Sequence, residues 1–545
     1  MTPVQPRTRL LFPLRRRATA LAAVLLTACG DSSTGTGQPK STLDQAVQAM
    51  GGAEALQAVT NEVVEASGSR QSPEQGSSIS TPRHLSNFRY IRTDELDGDK
   101  LHIEHDHVTT YLSPERYQFT EVVNGASGFV DGKDTVFTPA QTSGMFTSRA
   151  TAELGHTRLT SPLRVLRKAL ANPAIVQEEQ DLEVDQHRFK VLVFREEGEP
   201  ELRLLIDPET FLPAAARVLE DQPPLGDTVV EAWFSDYRDV SGVKYPYHLR
   251  ITLDGVEAHA EDRERIMVNV SVPAQSYEVP ASFQPPAQPV VPALADFGKR
   301  STQLLQGLKY LTQTFFYFDQ SGLPITLNEL APGVVHVVGP SHHSLLVEMK
   351  DYLVLVDTPL FYPERSEATL AAIKAKYPGK PIRYVIASHF HSDHIGGIRH
   401  FVADGGVTVL AGEPSVPFYQ RAFSNPHTLV PDRLARNPVP VTVEGVKTLK
   451  VLDDGVHSVE AHRIQSIHSN DMVIVYLPKE KVLFVADLFN PNLFPSNQPA
   501  PYVWGVASGG LYDEIQRLGL DVERIAGGHG SGTGTMEVLR ITGAR

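Results

Sequence analysis

Apolar and polar positions divide the 545-residue chain into zones of different period. An unbroken apolar run covers Ala18 to Ala28. Apolar residues then recur at helical spacing from Leu43 to Val59 (Leu43, Val47, Met50, Leu56). Gly51-Gly52 interrupts them, so the pattern predicts one or two short helices. From about Asn61 to Tyr277 the period shortens to two, as in Phe88-Arg89-Tyr90-Ile91-Arg92, Arg188 to Phe194, Glu201 to Ile206 and Tyr247 to Leu253. Gly, Asp and Pro turns separate these runs, and the pattern predicts an antiparallel β region. Proline density from Pro280 to Pro292 marks a linker, and Leu294 to Phe316 reads as a helix. Beyond a boundary near residue 320, wholly apolar runs such as Tyr352 to Val356, Tyr384 to Ile386, Met472 to Leu477 and Val482 to Ala486 read as buried strands. The fold class predicted is α+β, and no repeat of solenoid or propeller period is visible.

The first zone changes the picture of the rest. Arg7, Arg9 and Arg15 to Arg17 precede the apolar run, which is the charge order of a secretory leader. The run is too short to span a bilayer comfortably and ends in Leu26-Thr27-Ala28-Cys29, which resembles the lipobox of bacterial lipoproteins. This predicts a leader over 1–28, lipidation at Cys29 and a flexible Ser/Thr/Gly-rich tether over 29–42. The protein is then exported and anchored to a bacterial membrane by its lipid, facing the periplasm or the cell exterior. The flanks of the arginine triplet fit twin-arginine export poorly, so general secretion is the expectation. Cys29 is the only cysteine, which excludes an internal disulfide and a thiolate ligand or nucleophile in the folded part. The formal net charge of −14 becomes more negative once the leader arginines are removed, which argues against nucleic acid as substrate.

The antiparallel region is expected over 43–285, followed by a Pro-rich linker and helix over 286–320. Its opening segment Ala49 to Leu56 and its closing segment Asp236 to Pro246 resemble exported domains with a lipoprotein-carrier-like half-barrel. That resemblance implies a shape and no function.

The chemistry concentrates at Ser388-His389-Phe390-His391-Ser392-Asp393-His394-Ile395-Gly396-Gly397, immediately after an apolar strand. A lone histidine is more often a surface or hydrogen-bonded core residue. Three histidines and a carboxylate within six positions are different. A tight loop lets His389 and His391 point one way and Asp393 and His394 the other as a helix begins, which makes two neighbouring metal sites. Gly396 and Gly397 let that helix pack closely.

His-x-His-x-Asp-His after a strand resembles the signature of the metallo-β-lactamase superfamily, and the stretch from about Gly333 to Arg545 is similar to that fold throughout. The resemblance implies a four-layer αββα sandwich over 321–545. It also implies His389, His391 and His468 on a first metal, Asp393, His394 and His529 on a second, and Asp487 shared as in glyoxalase II relatives. Mixed imidazole and carboxylate ligands suit two Zn²⁺ per chain and admit Fe or Mn. Asp357, at the end of an upstream strand, is a candidate to orient a ligand from behind, with a plain strand-end turn as the alternative. Two such metals activate a bridging hydroxide, with Asp393 as the candidate catalytic residue that orients or deprotonates it.

The expected function is therefore hydrolysis of a small-molecule ester, lactone, thioester or related bond. One large group of β-lactamases of this fold places a cysteine where Asp487 stands and is excluded; the others generally lack the bridging carboxylate. β-Lactamase activity, iron-dependent redox chemistry on the same fold, and a lipoprotein that chiefly binds lipid or a partner are the alternatives. The sequence leaves the oligomeric state open.

Two further histidine groups stand outside the motif. His102-Ile103-Glu104-His105-Asp106-His107 places His105 and His107 on one face of a strand and is expected to be a solvated face. His342-His343 precedes the strand Ser344 to Met349 and has no place in the motif. Phe418, Tyr419, Phe494, Tyr502 and Trp504 are expected to wall an apolar substrate pocket.

Overall fold

The computed structural model describes residues 41–111, 114–283, 296–311, 324–359, 363–530 and 532–543. The leader, Cys29, nearly all of the tether, most of the Pro-rich segment and the boundary near residue 320 lie outside the described residues.

The region of two-residue period forms one 13-stranded sheet in which each strand is antiparallel to its neighbours. Its first strand, Asn61–Ser72, pairs on one side with Arg83–Glu95 and on the other with the last strand, Val256–Val268. Two consecutive meanders are thereby joined through their first and last strands. The helices Thr147–Thr160 and Pro162–Ala171 connect them in sequence. The helices expected before and after the sheet are Thr42–Met50 and Ala53–Ala58, and Phe297–Arg300 and Thr302–Tyr310. A side-chain and backbone capping box at Ser41 and Asp44 starts the first of them.

The inner face of the sheet corrects the reading of His105 and His107. In the strand Lys100–Thr109 the odd positions Leu101, Ile103, His105, His107 and Thr109 are buried. The alternation holds, and the shared face is buried where a solvated one is expected. His105 stacks on Phe119 with ring centroids 4.6 Å apart, and His107 on Tyr310 at 4.5 Å. His105 Nε2 lies 2.7 Å from Glu121 Oε2, and Glu121 also meets the Arg149 guanidinium. Burial, opposed by Glu121, pushes the His105 pKa down to about 4. These are neutral histidines in a buried polar network, which a strand pattern cannot distinguish from a wet face until the covering helices are known.

The remainder is a sandwich of two sheets. The first has seven strands, antiparallel from Thr326–Ala331 to Leu353–Val356 and then parallel through Ile382–Ile386, Thr408–Gly412 and Thr442–Val446. The second has six strands, from Leu449–Asp453 to Thr533–Gly534. Three apolar layers hold it. Leu355, Val385 and Val409 face Leu370, Ile398 and Phe401 of outer helices. Val354, Ile386 and Leu410 face Val459, Val475 and Phe484 between the sheets. Ile474, Leu483 and Ile525 face Leu511, Ile515 and Leu539 of the helices Tyr502–Leu518 and Met536–Thr542. The order is helix, sheet, sheet, helix: the αββα arrangement expected. Gly397 allows one close approach, because a Cβ there would stand 2.2 Å from Ser366 Oγ and 3.0 Å from the Thr358 carbonyl.

The large sheet is joined to this sandwich. Ile79 and Leu225 pack on the outer core of the first sheet, while Val503 and Trp504 pack on the core of the 13-stranded sheet. The Asp227 carboxylate accepts from the backbone N–H of Thr428 at 2.9 Å and of Leu429 at 3.1 Å.

Candidate metal centre

Each motif residue sits just beyond a strand at one end of the sandwich. His389 and His391 follow Ile382–Ile386, and the short helix Ser392–Ile395 presents Asp393 and His394. His468 lies beyond Ser458–Arg463, Asp487 beyond Val482–Phe484, and His529 beyond Arg524–Ala526. Strand ends converge here because the apolar strands are fixed by burial on both faces while their polar continuations are released into the loops.

The side chains gather into two groups able to hold metal ions. His389, His391, His468 and Asp487 bring one ligand atom each within 4.8 Å of one another, and so do His342, Asp393, His394 and His529. All seven residues of the motif set come together. His342 joins the second group. The sequence gives it no role in the motif, and its signal there is adjacency to a strand.

Hydrogen bonds behind His389, His391, His394 and His468 set which atom of each of these rings faces inward. His391 Nε2 is 2.8 Å from the Gly76 carbonyl, which can only accept, so Nδ1 is the bare atom. Ser388 Oγ donates to Asp357 Oδ2 at 2.8 Å, so His389 Nδ1 donates to Ser388 Oγ at 2.9 Å and leaves Nε2 bare. His394 Nδ1 donates to Asp357 Oδ2 at 3.2 Å and leaves its own Nε2 bare. His468 Nδ1 pairs with Tyr111 Oη at 2.9 Å. Asp357, fully buried and at φ 60°, thus holds one ring of each group, one directly and one through Ser388. That geometry is the one a ligand-orienting carboxylate requires.

The inward atoms fit a cation. His391 Nδ1 is buried without a hydrogen-bond partner among the described residues, and His394 Nε2 and Asp487 Oδ1 are buried facing one another at 2.7 Å. His468 Nε2 and His389 Nε2 are 3.1 Å apart. Two nitrogens each about 2.0–2.1 Å from a tetrahedral Zn²⁺ are roughly 3.3 Å apart, so the pair spans one edge of such a site. Asp487 reaches both groups, with Oδ1 at 2.7 Å from His394 Nε2 and 2.9 Å from His529 Nε2, and Oδ2 at 3.2 Å from His468 Nε2.

Electrostatics agree. Burial and the neighbouring histidines hold His389 and His391 well below the ordinary imidazole pKa, in the neutral form a metal needs. Burial alone would raise the Asp487 pKa, but His394 and His529 beside it outweigh burial and keep it ionised. Burial likewise disfavours a charged His394, yet Asp487 and Asp393 raise its pKa well above the usual value. That spot demands positive charge, which a bound cation supplies equally. Burial and then His529 push His342 down to about 3, while its Nε2 lies 3.2 Å from Asp393 Oδ2.

Beside the two groups lies a cavity of about 300 Å³. Its wall includes Tyr111, Phe137, Leu311, Asn490, Leu493 and Trp504 together with Asp393, Asp487 and His529. The aromatic expectations are corrected accordingly. Trp504 lines this cavity, with Phe494 packed against it at 5.0 Å between ring centroids. Phe418 and Tyr419 are core residues, and Tyr419 Oη donates to the His389 carbonyl at 3.2 Å. Tyr502 is exposed, and its hydroxyl donates to Glu115. His343 is a loop anchor: its backbone N–H donates to the Gly528 carbonyl at 2.8 Å and its Nε2 to Gly530.

Residues 337–529 match the family model described as the metallo-beta-lactamase superfamily. The alkyl/aryl-sulfatase BDS1 of Saccharomyces cerevisiae is 37% identical to this chain over 62 residues, 11% of this chain and 9% of that protein. The match spans under a tenth of that relative's length. A metallo-beta-lactamase from Pontibacter korlensis shares 22% sequence identity at a TM-score of 0.31, with 41% of this chain and 98% of that chain covered.

Proposed function

We propose that this protein, whose residues 337–529 match the metallo-beta-lactamase superfamily model, is a binuclear metal-dependent hydrolase, with zinc as the metal, that cleaves an ester, lactone or thioester. The observation that carries the reading is Asp487, whose two carboxylate oxygens serve the two histidine groups separately. In this reading His389, His391 and His468 would hold one ion and Asp393, His394 and His529 the other, with the Asp487 carboxylate lying between the two groups. Bound there, two divalent ions would supply an activated water and polarise the scissile carbonyl.

The chain's own residues do the rest. Asp393 Oδ1 accepts from Gln75 Nε2 at 2.8 Å, which turns Oδ2 toward His342 and His394. Oδ2 is left facing the site, where it would hold an ion and accept a hydrogen bond from the attacking water. Trp504, Phe137 and Leu311 hold the apolar part of the substrate and exclude bulk water, while Asn490 and Tyr111 offer hydrogen bonds to its polar atoms. Beyond the His and Asp side chains, the described wall of the cavity is apolar or uncharged, which suits a neutral acyl group.

A second reading, sulfate-ester hydrolysis, draws on the short match to the alkyl/aryl-sulfatase. A panel of phenyl esters, lactones, thioesters, a β-lactam and an alkyl sulfate separates the readings. Turnover of an acyl substrate, abolished in Asp393→Ala at unchanged circular dichroism, supports the first; turnover of the sulfate alone replaces it with the second. Export and lipidation at Cys29 remain part of the proposal on the strength of the leader sequence.

A further inference from the structure

The metal ligands are held from behind by the other sheet. The turn joining Asn61–Ser72 to Arg83–Glu95 reaches across to the sandwich and touches two residues of the two groups, while Arg83 at its end touches a third. Gln75, 7% exposed, donates through Nε2 to Asp393 Oδ1 at 2.8 Å. The Gly76 carbonyl receives His391 Nε2 at 2.8 Å. Asn470 N donates to the Ser77 carbonyl at 2.9 Å, beside His468. Arg83 Nε donates to the Gln75 carbonyl at 2.7 Å and its NH2 group to the His468 carbonyl, while its guanidinium lies 3.9 Å over the Tyr111 ring. Tyr111, beyond the strand Lys100–Thr109, meets His468 Nδ1 at 2.9 Å.

These contacts decide ligand chemistry as well as packing. The Gly76 carbonyl forces the proton of His391 onto Nε2 and frees Nδ1 for a metal. Gln75 occupies one oxygen of Asp393 and leaves the other. The turn is built to bring that carbonyl so close: a Cβ on Gly76 would stand 2.6 Å from the Ser78 carbonyl and 2.7 Å from the Thr81 carbonyl. Partners behind a ligand tune metal affinity by about 10- to 100-fold each when removed.

We propose that residues 75–83 and Tyr111 of the antiparallel sheet are positioning residues for both metals, so that docking of this turn and occupancy of the metal centre are thermodynamically coupled. The proposal rests on the metal-binding reading above. It gives the 13-stranded sheet a role in the chemistry without requiring it to bind a ligand of its own. Coupling is reciprocal: if the docked turn favours metal, metal must favour the docked turn by the same free energy.

The test uses the full chain with zinc as the only added metal. Hydrogen exchange is measured with and without zinc, and zinc affinity is measured by chelator competition for the parent, Gln75→Leu and Tyr111→Phe. The expected result is slower exchange in residues 74–83 on zinc binding with the distant edge strand Val176–Val184 unchanged, and an affinity loss of about tenfold or more in each variant. Two zinc ions bound with exchange in 74–83 indifferent to them overturns the coupling and leaves the metal reading standing. Affinities within about twofold of the parent do the same. A chain that binds no zinc overturns both. Exchange needs no substitution, so a variant that fails to fold does not block the outcome.

Discussion

Asp357 Oδ2 accepts the Nδ1 proton of His394 at 3.2 Å, from a residue that is fully buried and in the left-handed region of backbone space. The same oxygen receives the Ser388 hydroxyl that in turn supports His389, so one carboxylate orients a ring in each group. Asp357→Ala should therefore weaken zinc at both positions, with an affinity loss of about 10- to 100-fold and activity falling in step. Chelator competition on the purified variant checks it. Asp357→Asn should recover part of the loss, because an amide oxygen still accepts one hydrogen bond.

Asp487 is placed to serve both groups, so its charge matters more than its shape. Asp487→Asn is nearly isosteric, yet it should lower the metal content below two per chain and reduce turnover at least about 100-fold, the scale of losing one charge-stabilising group. Elemental analysis beside steady-state kinetics reads both numbers.

The buried network of the large sheet sets a pH dependence of stability. Burial raises Glu220 from 4.5 to about 8, although the Gln303 backbone N–H, 2.7 Å away, and Arg70 favour its charged form. A folded pKa above the unfolded value means that the native state binds the extra proton. Its contribution is complete below about pH 4.5 and is lost as pH rises through about 8. The slope from this one group is at most about 1.4 kcal/mol per pH unit. Glu220→Gln removes the titration, so its melting temperature should fall less steeply than the parent's between about pH 5 and pH 8. Asp221, raised to about 7 mainly by burial, keeps a residual slope in the variant.

Cys29 carries the anchoring proposal. In a bacterial host the parent chain should sediment with membranes and take up a labelled fatty acid, whereas Cys29→Ser should do neither. Equal fractionation of the two would remove lipidation from the account.

The sequence made the candidate metal centre legible because each residue of the set follows a strand and the densest four lie within six positions. Their shared neighbourhood needed only the order of strands. What lay hidden depends on distant chain. Gln75 and Asp393 are 318 positions apart, and nothing local to a polar turn says that it will meet a carboxylate. Tyr111 and His468 are separated by 357 positions. His342 lies far from the motif along the chain, so its proximity to Asp393 and His529 appears only in three dimensions. For His105 and His107 the period gave the correct shared face, but whether helices or water cover a face is decided by segments such as Thr302–Tyr310. Periodicity assigns sides; only topology assigns what lies against them.

The central claim is a two-metal centre that performs hydrolysis. Elemental analysis of the full chain, with acyl-substrate turnover followed through chelation and re-addition of zinc, tests it most directly. The account predicts two zinc ions per chain, loss of turnover on chelation and recovery as the second ion returns. Iron in their place with no zinc-restorable hydrolysis, or turnover untouched by complete metal removal, would contradict it.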